Sequence, residues 1–305
     1  MFKQVFTITF GDCAENHVNM EKLGSMSDRG FDLDDVTKFK DYFEKKGLTT
    51  EFFDLKDLVK KDKNKNKVNL FKKKNEDKMN EEEKEDDEEK EKEKEKEKEK
   101  EKEKEKKDEE EEELLNYNDA YLLIVRNGLS SICNVNDFHQ EQNKLEKDKK
   151  AFMYGRVVNK TARHNLCFTD GESREPEYEK GKGRLVSFND CPLLNKARET
   201  FIDILGDKAD GLVAEGNYYY EPSKCGIGWH GDAERRKVIA IRTGQRMNIC
   251  FNWFIDSKPV GNKFIQFLNH GDIYIMSEYT TGFNWRKKKI PTLRHSAGCS
   301  KFTSL

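Results

Sequence analysis

Gly226-Ile227-Gly228-Trp229-His230-Gly231-Asp232 is the stretch on which the fold reading turns. It is a short strand-like run that ends in two ligand-type side chains two positions apart. On extended backbone His230 and Asp232 leave the same face, because side chains alternate. Around this run, from Asp210 onward, short strand-like segments alternate with turn residues. Val238–Arg242 and Met247–Phe254 flank Thr243-Gly244-Gln245, and Phe264–Leu268 and Ile273–Ser277 flank Asn269-His270-Gly271-Asp272. Leu293–Ala297 carries His295. This spacing predicts an all-β barrel or sandwich rather than βαβ units. Leu193–Leu205 predicts a helix, with Pro192 placed to start it.

A third donor from a distant strand would complete a metal site with His230 and Asp232. His295 fits that place. His270 is the rival, although it sits in a turn before a strand. Two imidazoles and one carboxylate leave three positions of an octahedral ion open, the ligand set of non-haem Fe(II) oxygenases. The same pair also reads as a hydrogen-bonded couple at a strand end.

The N-terminal part reads as small α/β. Phe2–Phe10 alternates like a strand. Leu33–Lys46 puts Val36, Phe39 and Phe43 on one helical stripe that Gly47 ends. Thr49–Leu55 and Ala120–Val125 read as strands. Gly11-Asp12-Cys13 and His17 read as an ordinary strand-to-helix turn.

The whole chain has 305 residues, 38% charged and 34% hydrophobic. That average covers two unlike parts. From Lys60 to Glu113 the chain is nearly all Lys, Glu, Asp and Asn, and such a segment cannot bury enough apolar surface to offset its ordering entropy. It is expected to be a disordered or loosely helical insertion. The remaining residues, roughly 250, have normal composition and suffice for one large or two modest domains. The expected organisation is an α/β region over residues 1–147, containing that insertion, and a second domain over 148–305.

The formal net charge of -2 gives no global basic excess. No apolar run approaches the roughly 18 residues of a membrane-spanning helix. MFKQVFTITF lacks the apolar core and cleavage site of a signal peptide. The cysteine count is odd, seven, and no pair has CxxC spacing, which argues against a zinc ribbon or a disulfide scaffold. Reduced thiols in a cytoplasmic or nuclear, monomeric protein are the simplest expectation.

Asn217-Tyr218-Tyr219-Tyr220, His230-Gly231-Asp232, Gly271-Asp272-Ile273-Tyr274-Ile275-Met276-Ser277 and His295, in that order, resemble the AlkB-like Fe(II)/2-oxoglutarate dioxygenases. Ala162-Arg163-His164-Asn165-Leu166-Cys167-Phe168-Thr169-Asp170 and Tyr178 resemble the family's substrate lid. The resemblance covers about half the chain, Tyr154 to Lys301. It implies an α+β protein with a C-terminal double-stranded β-helix (jelly-roll) core. It further implies Fe(II) on His230, Asp232 and His295, and 2-oxoglutarate held with help from Asn217 and Tyr219. Arg163, Asp170 and Tyr178 would lie in the lid. No catalytic residue is expected beyond the metal ligands. The implied reaction uses O₂ to hydroxylate a C–H bond; on an N-methyl group, formaldehyde loss completes a demethylation. The leading substrate class is an alkylated base in DNA or RNA, with Arg235-Arg236-Lys237 and Arg286–Lys289 available for phosphates.

The sequence departs from the family in three places. The segment before His295 is longer and basic. The arginine pair that should follow the distal histidine has no counterpart, leaving Lys301 as the expected anchor for the far carboxylate and Arg242 as the alternative. Arg246-Met247-Asn248 imitates that arginine motif but precedes His295, and reads as a strand. The missing pair also leaves room for a catalytically inactive nucleic-acid- or protein-binding module, and the same ligands could serve a zinc hydrolase.

Overall fold

The computed structural model describes residues 2–60 and 117–305. Most of the Lys/Glu segment, and the expectation attached to it, lies outside the described residues. Residues Met1–Leu58 and Asp119–Leu305 form one compact unit.

That unit is mixed α+β and mostly sheet. Its strands are β1 (Val5–Gly11), β2 (Cys13–Glu15), β3 (Lys22–Gly24), β4 (Thr50–Asp54), β5 (Tyr121–Val125), β6 (Lys150–Met153), β7 (Arg156–Asn159), β8 (His164–Thr169) and β9 (Leu185–Ser187). There follow β10 (Val213–Tyr219), β11 (Gly226–His230), β12 (Val238–Gly244), β13 (Met247–Ile255), β14 (Lys258–Leu268), β15 (Ile273–Met276) and β16 (Thr292–Gly298). The α-helices are α1 (Leu33–Lys45), α2 (Val135–Lys144), α3 (Pro192–Leu205) and the short α4 (Ser300–Thr303). Eight strands make one sheet in the order β4-β5-β15-β12-β1-β10-β8-β9, and four make another in the order β11-β16-β13-β14.

Strand β1 lies between β10 and β12, antiparallel to both. The large sheet is therefore built across the expected boundary at residues 147 and 148. The alternation of β1 explains its central place. Phe6, Ile8 and Phe10 face the main core. Thr7 and Thr9 face the opposite side, toward a cavity. The same two-residue period on β12 sends Ile239 and Ile241 to the core and Arg242 to the cavity.

Helices cover the apolar face. On α1, Val36, Phe39 and Phe43 are buried as the stripe predicts. Asp32 caps its first turn in a reciprocal capping box with Asp35. Phe39 meets Phe201 of α3 with ring centroids 5.7 Å apart. Pro192 occupies the first turn of α3, where a missing N–H costs nothing. Helix α2 has no strong apolar stripe; its Asn134 cap accepts from the amides of Asn136 and Asp137. Among the described residues no helix is long and apolar enough to cross a membrane.

A candidate metal centre in the cavity

The two histidines of the candidate centre come from paired strands of the smaller sheet. His230 on β11 and His295 on β16 are cross-strand partners, next to a bulge between Ile227 and His230. Their rings lie 4.4 Å apart. Asp232 falls just beyond the end of β11, so a turn rather than strand alternation aims its carboxylate. Its Oδ1 is 3.6 Å from Nε2 of each histidine. The three donor atoms lie within 4.8 Å of one another, close enough to share one ion.

The tautomer of His230 follows from its surroundings. Its Nδ1 lies 2.7 Å from the Gly228 carbonyl, so that nitrogen carries the proton and Nε2 keeps its lone pair for a metal. Burial, reinforced by the neighbouring His295, pushes the His230 pKa down to about 3, so the ring is neutral. Burial pushes the Asp232 carboxyl up. The Arg235 guanidinium and the two imidazoles outweigh it and hold the group ionised, below the usual carboxylate range.

Arg235 is buried, although the sequence suggests a phosphate contact. Its Nη2 donates to Glu215 at 2.6 Å and to Glu234 at 2.7 Å, and its Nε stands 3.7 Å from Asp232. Arg236 is spent on Glu278 at 2.7 Å. Only Arg286–Lys289 of the two basic segments is exposed.

The metal-type cluster opens on a cavity of about 790 Å³. Asn217, Tyr219, Arg163 and Arg242 all line it. Asn217 is engaged within the wall: its Oδ1 accepts from Arg163 Nε and Asn165 Nδ2, and its Nδ2 donates to Glu215 at 3.0 Å. Arg242 is 1% exposed, and its Nε and Nη1 meet no acceptor among the described residues. A buried guanidinium left this way is costly unless a ligand supplies the anion.

Lys301 is the residue expected to anchor the far carboxylate. It is exposed on α4, outside the cavity lining. Asp170 and Tyr178 also lie outside that lining. Asp170 pairs with Arg198 of α3, while the Tyr178 hydroxyl donates to Asp148 at 2.6 Å. His270 is not part of the cluster; its Nδ1 accepts from the Gly244 amide at 2.9 Å. Arg246 is exposed and lies over the Phe267 ring. All seven cysteines are free thiols, none in the ligand cluster.

The sequence reading misses the N-terminal contribution. Asp12 accepts from the amides of Arg236 and Lys237, both at 3.0 Å, and so ties the first turn to the loop after Asp232. The apolar-polar alternation of β1 is the one local signal that it had a polar face to present.

The fold and the cluster together define a mostly-sheet α+β protein with a His-Asp-His candidate metal centre. No family model matches the chain. It is 41% identical over 300 residues, 98% of each chain, to the uncharacterized protein R156 of Acanthamoeba polyphaga mimivirus, and it belongs to the same family as that protein.

Proposed function

We propose that the protein is an Fe(II)/2-oxoglutarate-dependent dioxygenase on a double-stranded β-helix. The observation that carries this reading is the pairing of two features in one cavity: the His230-Asp232-His295 cluster and the buried Arg242, whose Nε and Nη1 lack an acceptor among the described residues. The first suits a divalent ion with open positions. The second suits a carboxylate held by a charge-assisted hydrogen bond.

The strand pairing supports the jelly-roll. β13 pairs with β14, β12 with β15 and β11 with β16, as in one long hairpin folded over on itself. The next pair in that nest should join β10 to an eighth strand. β1 takes that place. On this reading the strand that in the family would carry the arginine pair is supplied from the start of the chain, and the anchoring cation moves to its neighbour β12. The inactive-module alternative rests on the lack of an anchor, and on this reading Arg242 is the candidate anchor.

When bound, Fe(II) and 2-oxoglutarate supply a hydroxylating oxidant, with succinate and CO₂ as co-products. The protein's own contribution is orientation. Gly228 fixes the His230 tautomer, and Arg235 holds Asp232 ionised with Oδ1 turned to both imidazoles. Arg242 offsets the charge of the far carboxylate. Exposed Arg286 at the cavity lining supports the substrate class implied by the resemblance, an alkylated nucleic-acid base.

Anaerobic titration of the protein with Fe(II) and 2-oxoglutarate tests the reading. A weak visible charge-transfer band should appear at a stoichiometry of one, followed by succinate on admitting O₂. A protein that binds Fe(II) and gives neither band nor succinate would refute it.

A further inference from the structure

We infer that Thr7, on the first strand of the chain, is a positioning residue that donates its hydroxyl to the far carboxylate beside Arg242. The inference rests on the proposed function and deepens it.

Thr7 is 5% exposed, lines the cavity, and its Oγ1 has no partner among the described residues. Its register neighbours are Arg242 on one side and Asn217 on the other. Asn217 does not satisfy it: the Asn217 carbonyl already accepts from Arg163 and Asn165, and its amide donates to Glu215.

The Arg242 side is closer. The Arg242 amide donates to Asp272 at 2.8 Å, and its carbonyl accepts from Gly271 at 2.8 Å. Both backbone groups therefore point away from β1. Thr7 and Arg242 form a non-hydrogen-bonded antiparallel pair, the type whose Cα atoms approach to roughly 4.5 Å and whose side chains sit nearest. Two adjacent strands thus bring to the wall of one cavity an unpaired hydroxyl and a guanidinium that bonds Tyr274 but leaves Nε and Nη1 without an acceptor. A carboxylate has two oxygens to offer them, which leaves neither buried group orphaned. Glu215, the nearby buried acid, is already committed to Arg235 at 2.6 Å and does not compete.

The test compares two keto acids on the Fe(II)-loaded full chain under anaerobic conditions. 2-Oxoglutarate carries the far carboxylate; pyruvate lacks it and keeps the keto acid end. Thr7→Val should weaken 2-oxoglutarate about tenfold, the loss of one hydrogen bond to a charged group, and leave pyruvate unchanged. Thr7→Ser should restore 2-oxoglutarate binding to near the parent value. Thr7→Ala should repeat the selective loss if the valine variant does not fold. Equal weakening of both keto acids, or no change for 2-oxoglutarate, overturns the role of Thr7. A parent protein that binds neither keto acid overturns the proposed function instead.

Discussion

At the residue scale the ligand set makes sharp demands. His230→Ala, Asp232→Ala and His295→Ala should each abolish Fe(II) binding in an anaerobic titration while circular dichroism stays native. His270→Ala should keep it, because His270 accepts from the Gly244 amide and is not part of the cluster. Retained binding in any of the first three would remove the centre. Arg242→Ala should raise the 2-oxoglutarate requirement by roughly one to two orders of magnitude, the loss of a charge-assisted bond, with Lys301→Ala unchanged. The reverse pattern would return the anchor to the end of the chain. The cluster was legible because His-x-Asp is a local pattern and His295 lies on a recognisable strand. Arg235 was not: nothing in Arg235-Arg236-Lys237 distinguishes a buried pair with Glu215 from a solvated patch. The choice of Lys301 assumes that the anchor follows His295 in the chain, and the structure places that residue exposed and outside the cavity lining.

At the element scale, close backbone contact sets the position of the loop that carries Asp232. A Cβ on Gly231 would lie 2.1 Å from the Gly282 carbonyl oxygen and 2.8 Å from Trp285 Cβ. The Asp232 amide also donates to Thr281 at 2.9 Å. Gly231→Ala should therefore force the segment after β15 outward, costing about 1–3 kcal/mol by thermal denaturation and weakening Fe(II) binding. Wild-type values for both would show that the contact is soft. Most strands and both α1 and α3 were legible from periodicity and turn residues. Helix α2 was not, since its sequence, VNDFHQEQNK, is largely polar and its burial depends on the sheet beneath. Nor was the position of β1, because pairing partners more than 200 residues away leave no local trace.

For the whole molecule, histidines held neutral by burial or part-burial lower stability on the acid side. Burial, with His270 and Lys147 nearby, pushes His139 down to about 4, and burial also lowers His164 and His270. The unfolded chain therefore binds protons first. Stability from these groups is complete above the ordinary value of 6.5 and falls as pH drops from there toward about 4. Denaturant midpoints that stay flat across that window would contradict it. A second expectation concerns the Lys/Glu segment. Asp54 of β4 pairs with Tyr121 of β5, and the Leu55 amide donates to Ala120, so the chain leaves and re-enters at adjacent points. Replacing Lys60–Glu113 with a short Gly/Ser linker should leave Fe(II) binding unchanged, since closure cost varies slowly with length. Loss of binding would mean that the segment is engaged with the site. The central place of β1 also bears on biosynthesis. The ribosome makes residues 5–11 about 200 residues before their neighbours on both sides, β10, which begins at Val213, and β12. At about 5–20 residues per second the strand waits on the order of 10–50 s with both edges open. Nascent chains arrested near residue 205 should yield this strand to protease, while chains extended well past Gly244 should protect it. Early protection would mean that another part of the chain, or a chaperone, shelters the strand until its neighbours emerge.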